Sequence, residues 1–123
     1  YSAELPLWVS TETKKDFIYT NDLFTALEKF LLPIEIPSGA YNLGGNESHS
    51  LANVLKVVEQ VTGSKVKTQI QPVHPVLSHP TQLDCSKFNS FTGWNALTSL
   101  NSGIRQFWNW YLETHSKPGK KAA

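Results

Sequence analysis

Apolar residues recur at helical spacing in three stretches of the chain. The strongest is Leu51, Val54, Leu55, Val58 and Val61, with Ser48 or Ser50 available as N-cap and Gly63 where a left-handed terminator belongs. Leu23, Ala26, Leu27, Phe30 and Leu31 keep the same spacing after a capping Thr20 or Asn21, and Pro33 stops them. The last helix runs from about Ser99 to His115 and carries Leu100, Ile104, Phe107, Trp108 and Tyr111 on one face. Phe107, Trp108 and Tyr111 are therefore expected in the core, whereas Trp110 falls off the stripe and is expected to be partly exposed. "LDCSKFNSF" adds a short helix closed by Gly93-Trp94.

Alternation marks the strands. "LPLWVS" (5–10) alternates, with Pro6 placing it at an edge or a strand start, and "DFIYT" (16–20) is a second short strand. "AYNLGG" (40–45) reads as a strand entering a glycine turn, "KVKTQIQPV" (65–73) as a further strand, and "HPVLSHP" (74–80) as an extended connection. The sum is an α/β fold: one small mixed domain over residues 1–116, with short strands, three main helices and no regular βαβ alternation. Residues 117–123 are expected to form a disordered tail.

The totals sharpen this picture in two ways. A chain of 123 residues with 40% apolar and 17% charged residues is globular and can bury roughly two thirds of its unfolded surface. Three of its eleven cations lie in the last seven residues, leaving eight cations against ten acids in the rest. No basic stripe remains to follow a phosphate backbone, so nucleic acid is not an expected partner. No apolar run reaches the ~20 residues of a membrane span, and no signal-peptide pattern opens the chain. The single cysteine, Cys85, excludes an internal disulfide and fits a reducing, cytoplasmic setting. The sequon Asn46-Glu47-Ser48 carries little weight without a secretory signal. With no methionine, Tyr1 is not expected to be a natural translation start.

Candidate chemistry is sparse. His49, His74, His79 and His115 lack metal-ligand spacing, Cys85 has no partner cysteine, and no G-x-S-x-G elbow is present, so neither a metal nor a catalytic residue is assigned. Gly39 to Gly44 has the glycine spacing of a phosphate loop, but Gly45-Asn46 stands where Lys-Ser or Lys-Thr would be needed. Gly44-Gly45 fits a sharp turn or a close ligand approach better. Lys14-Lys15, just before a strand, could present a cation to an anionic ligand.

Taken in order, the landmarks resemble the C-terminal subdomain of the nucleotide-sugar epimerases, dehydratases and reductases of the extended short-chain dehydrogenase/reductase family. "KKDFIYTNDL" matches that family's basic residue, Asp-Phe, strand and helix-opening Asp. "YNLGG" matches its Tyr-Asn-aliphatic-Gly, and "SLANVLKVVEQVTG" its Ser-Leu helix closing at Thr-Gly. "LDCSKF", "TGW" and "SLNSGIRQFWNWYLE" supply the remaining landmarks, so the resemblance runs from about Leu5 to Glu113. The family's dinucleotide fingerprint and Tyr-x-x-x-Lys are absent, since Tyr1, Tyr19, Tyr41 and Tyr111 each lack a lysine four residues on.

The resemblance implies the substrate side of a nucleotide-sugar enzyme without its Rossmann half, inactive by itself, with NAD(P) belonging only to a full-length relative. Lys15 takes the position of the family's diphosphate-contacting arginine. A second family arginine has no counterpart in "VHPVLSHPTQLD", where His79, or else His74, is the available substitute. With Asn42 and Gly44 of the "YNLGG" turn, Lys15 and His79 complete the expected nucleotide-diphosphate site. Asp84, Ser86 and Lys87 read as structural. The alternative is a free-standing, non-catalytic domain that binds a ligand, pairs with a separate cofactor-binding domain or self-associates as a homodimer. A half-enzyme would leave uncovered the apolar surface that met its cofactor domain, so self-association through that face is expected, with Trp8, Trp110 or Phe24 among the contacts.

Overall fold

A computed structural model describes residues 4–115; the expected tail lies outside the described residues. The described residues form two small sheets and four α-helices. Strand β1 (Leu5–Leu7) pairs in parallel with β4 (Thr68–Ile70), Leu5 opposite Thr68, and β2 (Lys14–Asp16) pairs antiparallel with β3 (Ser48–Ser50), Lys15 opposite His49. The helices are α1 (Thr20–Glu28), α2 (Leu51–Thr62), α3 (Ser86–Thr92) and α4 (Leu100–His115), with single 3-10 turns over Lys29–Leu31 and Pro75–Ser78.

Helix α2 forms where its local signals place it. Ser50 Oγ accepts the Asn53 N–H at 3.2 Å, and the carbonyls of Thr13 and Thr11 take those of Leu51 and Ala52, so the first turn has partners for its open donors. Gly63 ends it at φ +70°. Glu59 then receives Lys65 Nζ at 2.8 Å and the Val66 N–H at 2.9 Å, turning the chain toward β4. Helix α3 likewise closes on Gly93 at φ +66°. Asn89 holds the following turn by donating to the Trp94 carbonyl at 3.0 Å.

The core lies between α1, α3 and the segment after Gly93. Phe88 is 1% exposed and meets Phe30, Tyr41 and Trp94 with ring centroids 5.7–5.8 Å apart; Ala26 and Ala96 complete the buried cluster. Asp22, buried in the first turn of α1, accepts the Thr98 N–H at 2.9 Å and ties α1 to the approach of α4.

Several local expectations are displaced. Helix α1 starts at Thr20, so Thr20 and Asn21 lie inside it rather than capping it, and Tyr19 occupies the N-cap without a side-chain cap. The "DFIYT" strand begins two residues early: the ladder covers Lys14–Asp16, and Phe17 to Tyr19 run on without one. "AYNLGG" is irregular rather than a strand, since its polar groups are taken by side chains and loops. "HPVLSHP" folds one 3-10 turn instead of staying extended. The α4 stripe does face α2, but Phe107 and Tyr111 are 57% and 39% exposed, so they flank an open groove rather than a core. Trp110, at 52%, is as exposed as its place off the stripe implies.

Candidate functional site

Three segments far apart in sequence meet beside β2: residues 14–16, 42–46 and 79–85. Their meeting point is the Asp16 carboxylate. Its Oδ1 accepts the Gly45 N–H at 2.5 Å and its Oδ2 the Leu83 N–H at 3.0 Å. A Cβ on Gly44 would stand 2.6 Å from the same carboxylate, and one on Gly45 would strike the Phe17 carbonyl, so both glycines serve close approach rather than unusual dihedrals. The Thr81 N–H, donating to the Lys14 carbonyl at 3.0 Å, lays 79–85 along the strand.

All four sequence-predicted site residues fall in this junction. The Lys15 ammonium donates to the His79 carbonyl at 2.5 Å and reaches Thr81 Oγ1 at 3.5 Å. Asn42, exposed, donates from Nδ2 to the Asp84 carbonyl at 3.2 Å. Gly44 is buried and gives its N–H to Cys85 Sγ at 3.2 Å. His79 meets Lys15 through its main chain, and its residue is exposed. Lysine has three N–H donors; two are engaged here, which leaves one for an outside acceptor.

A polar cleft of 640 Å³ opens beside the junction, bounded by Asn46, Gln82, Asp84, Asn89 and Asn95 among others. Hydrogen bonds from the Ser86 side chain and backbone hold the Asp84 carboxyl below its ordinary value, so it stays an anion and an acceptor. With amides supplying both donors and acceptors, the cleft suits a ligand rich in hydroxyl or amide groups. Lys87 is structural as expected: its ammonium donates to the Ala40 carbonyl at 3.1 Å and lies 4.6 Å from the Tyr41 ring centroid.

Asp16 is the residue that sequence reasoning left without a role. It stood inside the quoted Asp-Phe landmark without a role of its own. In the fold it is instead a main-chain clamp. Among the described residues no three His, Cys, Asp or Glu side chains gather to hold a metal, and no helix is long and apolar enough to cross a membrane.

Comparison with known proteins gives a consistent set of relatives. The chain is 30% identical over 100 residues to UDP-glucose 4-epimerase 3 of Oryza sativa subsp. japonica, covering 78% of this chain and 27% of that protein. It is 32% identical over 104 residues to the UDP-glucose 4-epimerase of Halalkalibacterium halodurans, covering 80% and 30%. The fold matches a Bacillus cereus UDP-glucuronic acid 4-epimerase, solved with UDP-glucuronic acid and NAD, at a TM-score of 0.79 and 20% identity, over 93% of this chain and 37% of that one. The chain thus spans about a third of the length of the proteins it matches, on their C-terminal portion. No family model matches it.

Proposed function

The chain belongs to the nucleotide-sugar epimerases of the extended short-chain dehydrogenase/reductase family, and on that footing we propose that it is their substrate-binding portion, holding a nucleotide diphosphate at the Lys15 junction without doing the chemistry. The observation that carries this reading is the convergence of Lys15, Asn42, Gly44 and His79, drawn from three distant segments, at one junction, next to a polar cleft lined by Gly45, Leu83 and Asp84. Lys15 would offer its remaining N–H to a phosphate oxygen, as a point charge rather than a bidentate fork. His79 enters the junction through its carbonyl, which accepts from Lys15. Asn42 ties its turn to the Asp84 carbonyl, and Gly44 keeps that turn close to Asp16.

A dinucleotide does not fit the residues of this chain. Its glycine pair, Gly44-Gly45, leads into β3 rather than into a helix N-terminus, so it lacks the helix-end backbone donors of a dinucleotide fingerprint. Hydride transfer would also need a tyrosine tuned by a lysine four residues on, and no tyrosine here has one. We therefore expect no turnover from the chain alone. A single cysteine, Cys85, fits a reducing, cytoplasmic setting.

The test is calorimetric titration with UDP and UDP-glucose. Saturable heat is expected, and Lys15→Ala should weaken binding about tenfold, the value of one charge-assisted contact. No heat at millimolar ligand would refute substrate binding. A second reading, a self-associating domain, draws on Trp8, Phe24 and Trp110, which are 50%, 60% and 52% exposed. Concentration-dependent dimerisation in ultracentrifugation, lost in Trp110→Glu, would favour it.

A further inference from the structure

The polar cleft beside the Lys15 junction has an uneven lining. Of the nine residues that border it, Asp84 alone carries a charge. Neither Lys15 nor Lys87 is among them: Lys15 is held by the His79 carbonyl and Thr81, and Lys87 by the Ala40 carbonyl. The Gly45 and Leu83 N–H groups of the lining are taken by Asp16, so neither is open to a ligand. Asn46 donates from Nδ2 to the Ala96 carbonyl, and Asn89 from Nδ2 to the Trp94 carbonyl at 3.0 Å. One N–H of each amide is thereby engaged, and both amide oxygens remain able to accept. Asp84 accepts the Ser86 N–H at 2.9 Å with one oxygen and has a second. By the inventory of its side chains, the lining accepts more hydrogen bonds than it donates. A hydroxyl suits such a wall because it can donate. A carboxylate only accepts, and it brings a second negative charge.

We propose that this cleft takes the sugar of a nucleotide sugar and selects a neutral, hydroxyl-bearing sugar over a uronic acid, with Asp84 as the residue that disfavours the carboxylate. The inference rests on the diphosphate reading of the Lys15 junction, whose segment 79–85 runs on into the cleft wall. Asp84 acts through its charge. The hydrogen bonds from Ser86 hold its carboxyl below the ordinary value, so it is an anion at neutral pH. Binding Ser86 and bordering the cleft are compatible, because one oxygen serves Ser86 and the other is left for the ligand.

The experiment is calorimetric titration of the chain with UDP, UDP-glucose and UDP-glucuronic acid in parallel. UDP-glucose should bind about three- to tenfold more tightly than UDP-glucuronic acid, the effect of two like charges roughly 5 Å apart in a solvated cleft. Raising the salt from about 0.01 M to about 0.5 M should shrink that ratio, because the repulsion is screened while the diphosphate contact is common to both ligands. Asp84→Asn keeps an oxygen for the Ser86 N–H but removes the charge, and should bring the ratio close to one. Equal or tighter binding of UDP-glucuronic acid to the wild-type chain overturns the proposal; if UDP itself binds, the diphosphate reading stands. A preference that survives both Asp84→Asn and high salt belongs to another residue and overturns it too. Binding of none of the three ligands removes the diphosphate reading and this inference with it.

Discussion

Replacing Asp16 with alanine removes the acceptor for two N–H groups in different segments. The Gly45 N–H is half-buried and bonded at 2.5 Å, so water replaces the lost carboxylate poorly. A hydrogen bond to a charged group contributes ~1.5–3 kcal/mol, and the low end is appropriate at a half-buried site. The Leu83 N–H is exposed and bonded at 3.0 Å, so solvent recovers most of its loss and about 0.5–1 kcal/mol remains. Asp16→Ala should therefore destabilise the fold by about 2–3 kcal/mol. With a urea dependence of ~1.5 kcal/mol per M for a chain of this size, the unfolding midpoint falls by roughly 1.5–2 M. Asp16→Asn separates charge from shape. Its carbonyl can still serve Gly45, but its amide then faces the Leu83 N–H, donor against donor, and the charge is gone; about 1–1.5 kcal/mol is expected. The order Ala, then Asn, then wild type follows from the geometry. An alanine variant within 0.5 kcal/mol of wild type, a threshold set at the net worth of one weak hydrogen bond, would show that Asp16 does not hold the junction together.

Two glycines should respond in contrasting ways. Gly63→Ala places a Cβ in open space and is charged only the left-handed backbone penalty, about 1 kcal/mol, in the same urea assay. Gly45→Ala drives a Cβ into the Phe17 main chain and should cost more than twice as much, or prevent folding, because backbone cannot yield as a side-chain end can. Ser50→Ala removes the α2 cap and should cost about 1 kcal/mol, with helicity by circular dichroism falling in parallel. Glu59 carries a pH signature. Its hydrogen bonds from Lys65 and Val66 hold its folded value below the ordinary 4.5, so its contribution is fully present above 4.5 and is lost as the pH falls through the depressed value. Glu59→Gln should lower stability above pH 4.5 and flatten that acid limb; an unchanged limb would mean the pair is too well solvated to matter.

Helices were readable from the chain because their determinants are local. The α2 stripe, the Ser50 cap and the Gly63 and Gly93 terminators act within a few residues, and each appears where the spacing puts it. Strands depended on partners. "DFIYT" has the composition of a strand, yet the ladder lies at Lys14–Asp16, because Ser48–Ser50 is the segment that arrives to pair with it. Asp16 was invisible for a related reason: nothing in sequence says that its two oxygens will meet residues 29 and 67 positions away. The four candidate site residues were legible individually through the landmarks around them, and the fold brings them to one junction.

The aromatic face of α4 shows the division most plainly. Helical spacing determined that Leu100, Ile104, Phe107 and Tyr111 would share a face, because 3.6 residues per turn leave no other choice; the fold turned that face toward α2. Only the tertiary structure decided that this face stays half open, with Phe17 and Tyr19 at its rim. Periodicity fixes which side of a helix is apolar; whether that side is covered depends on surfaces brought from elsewhere.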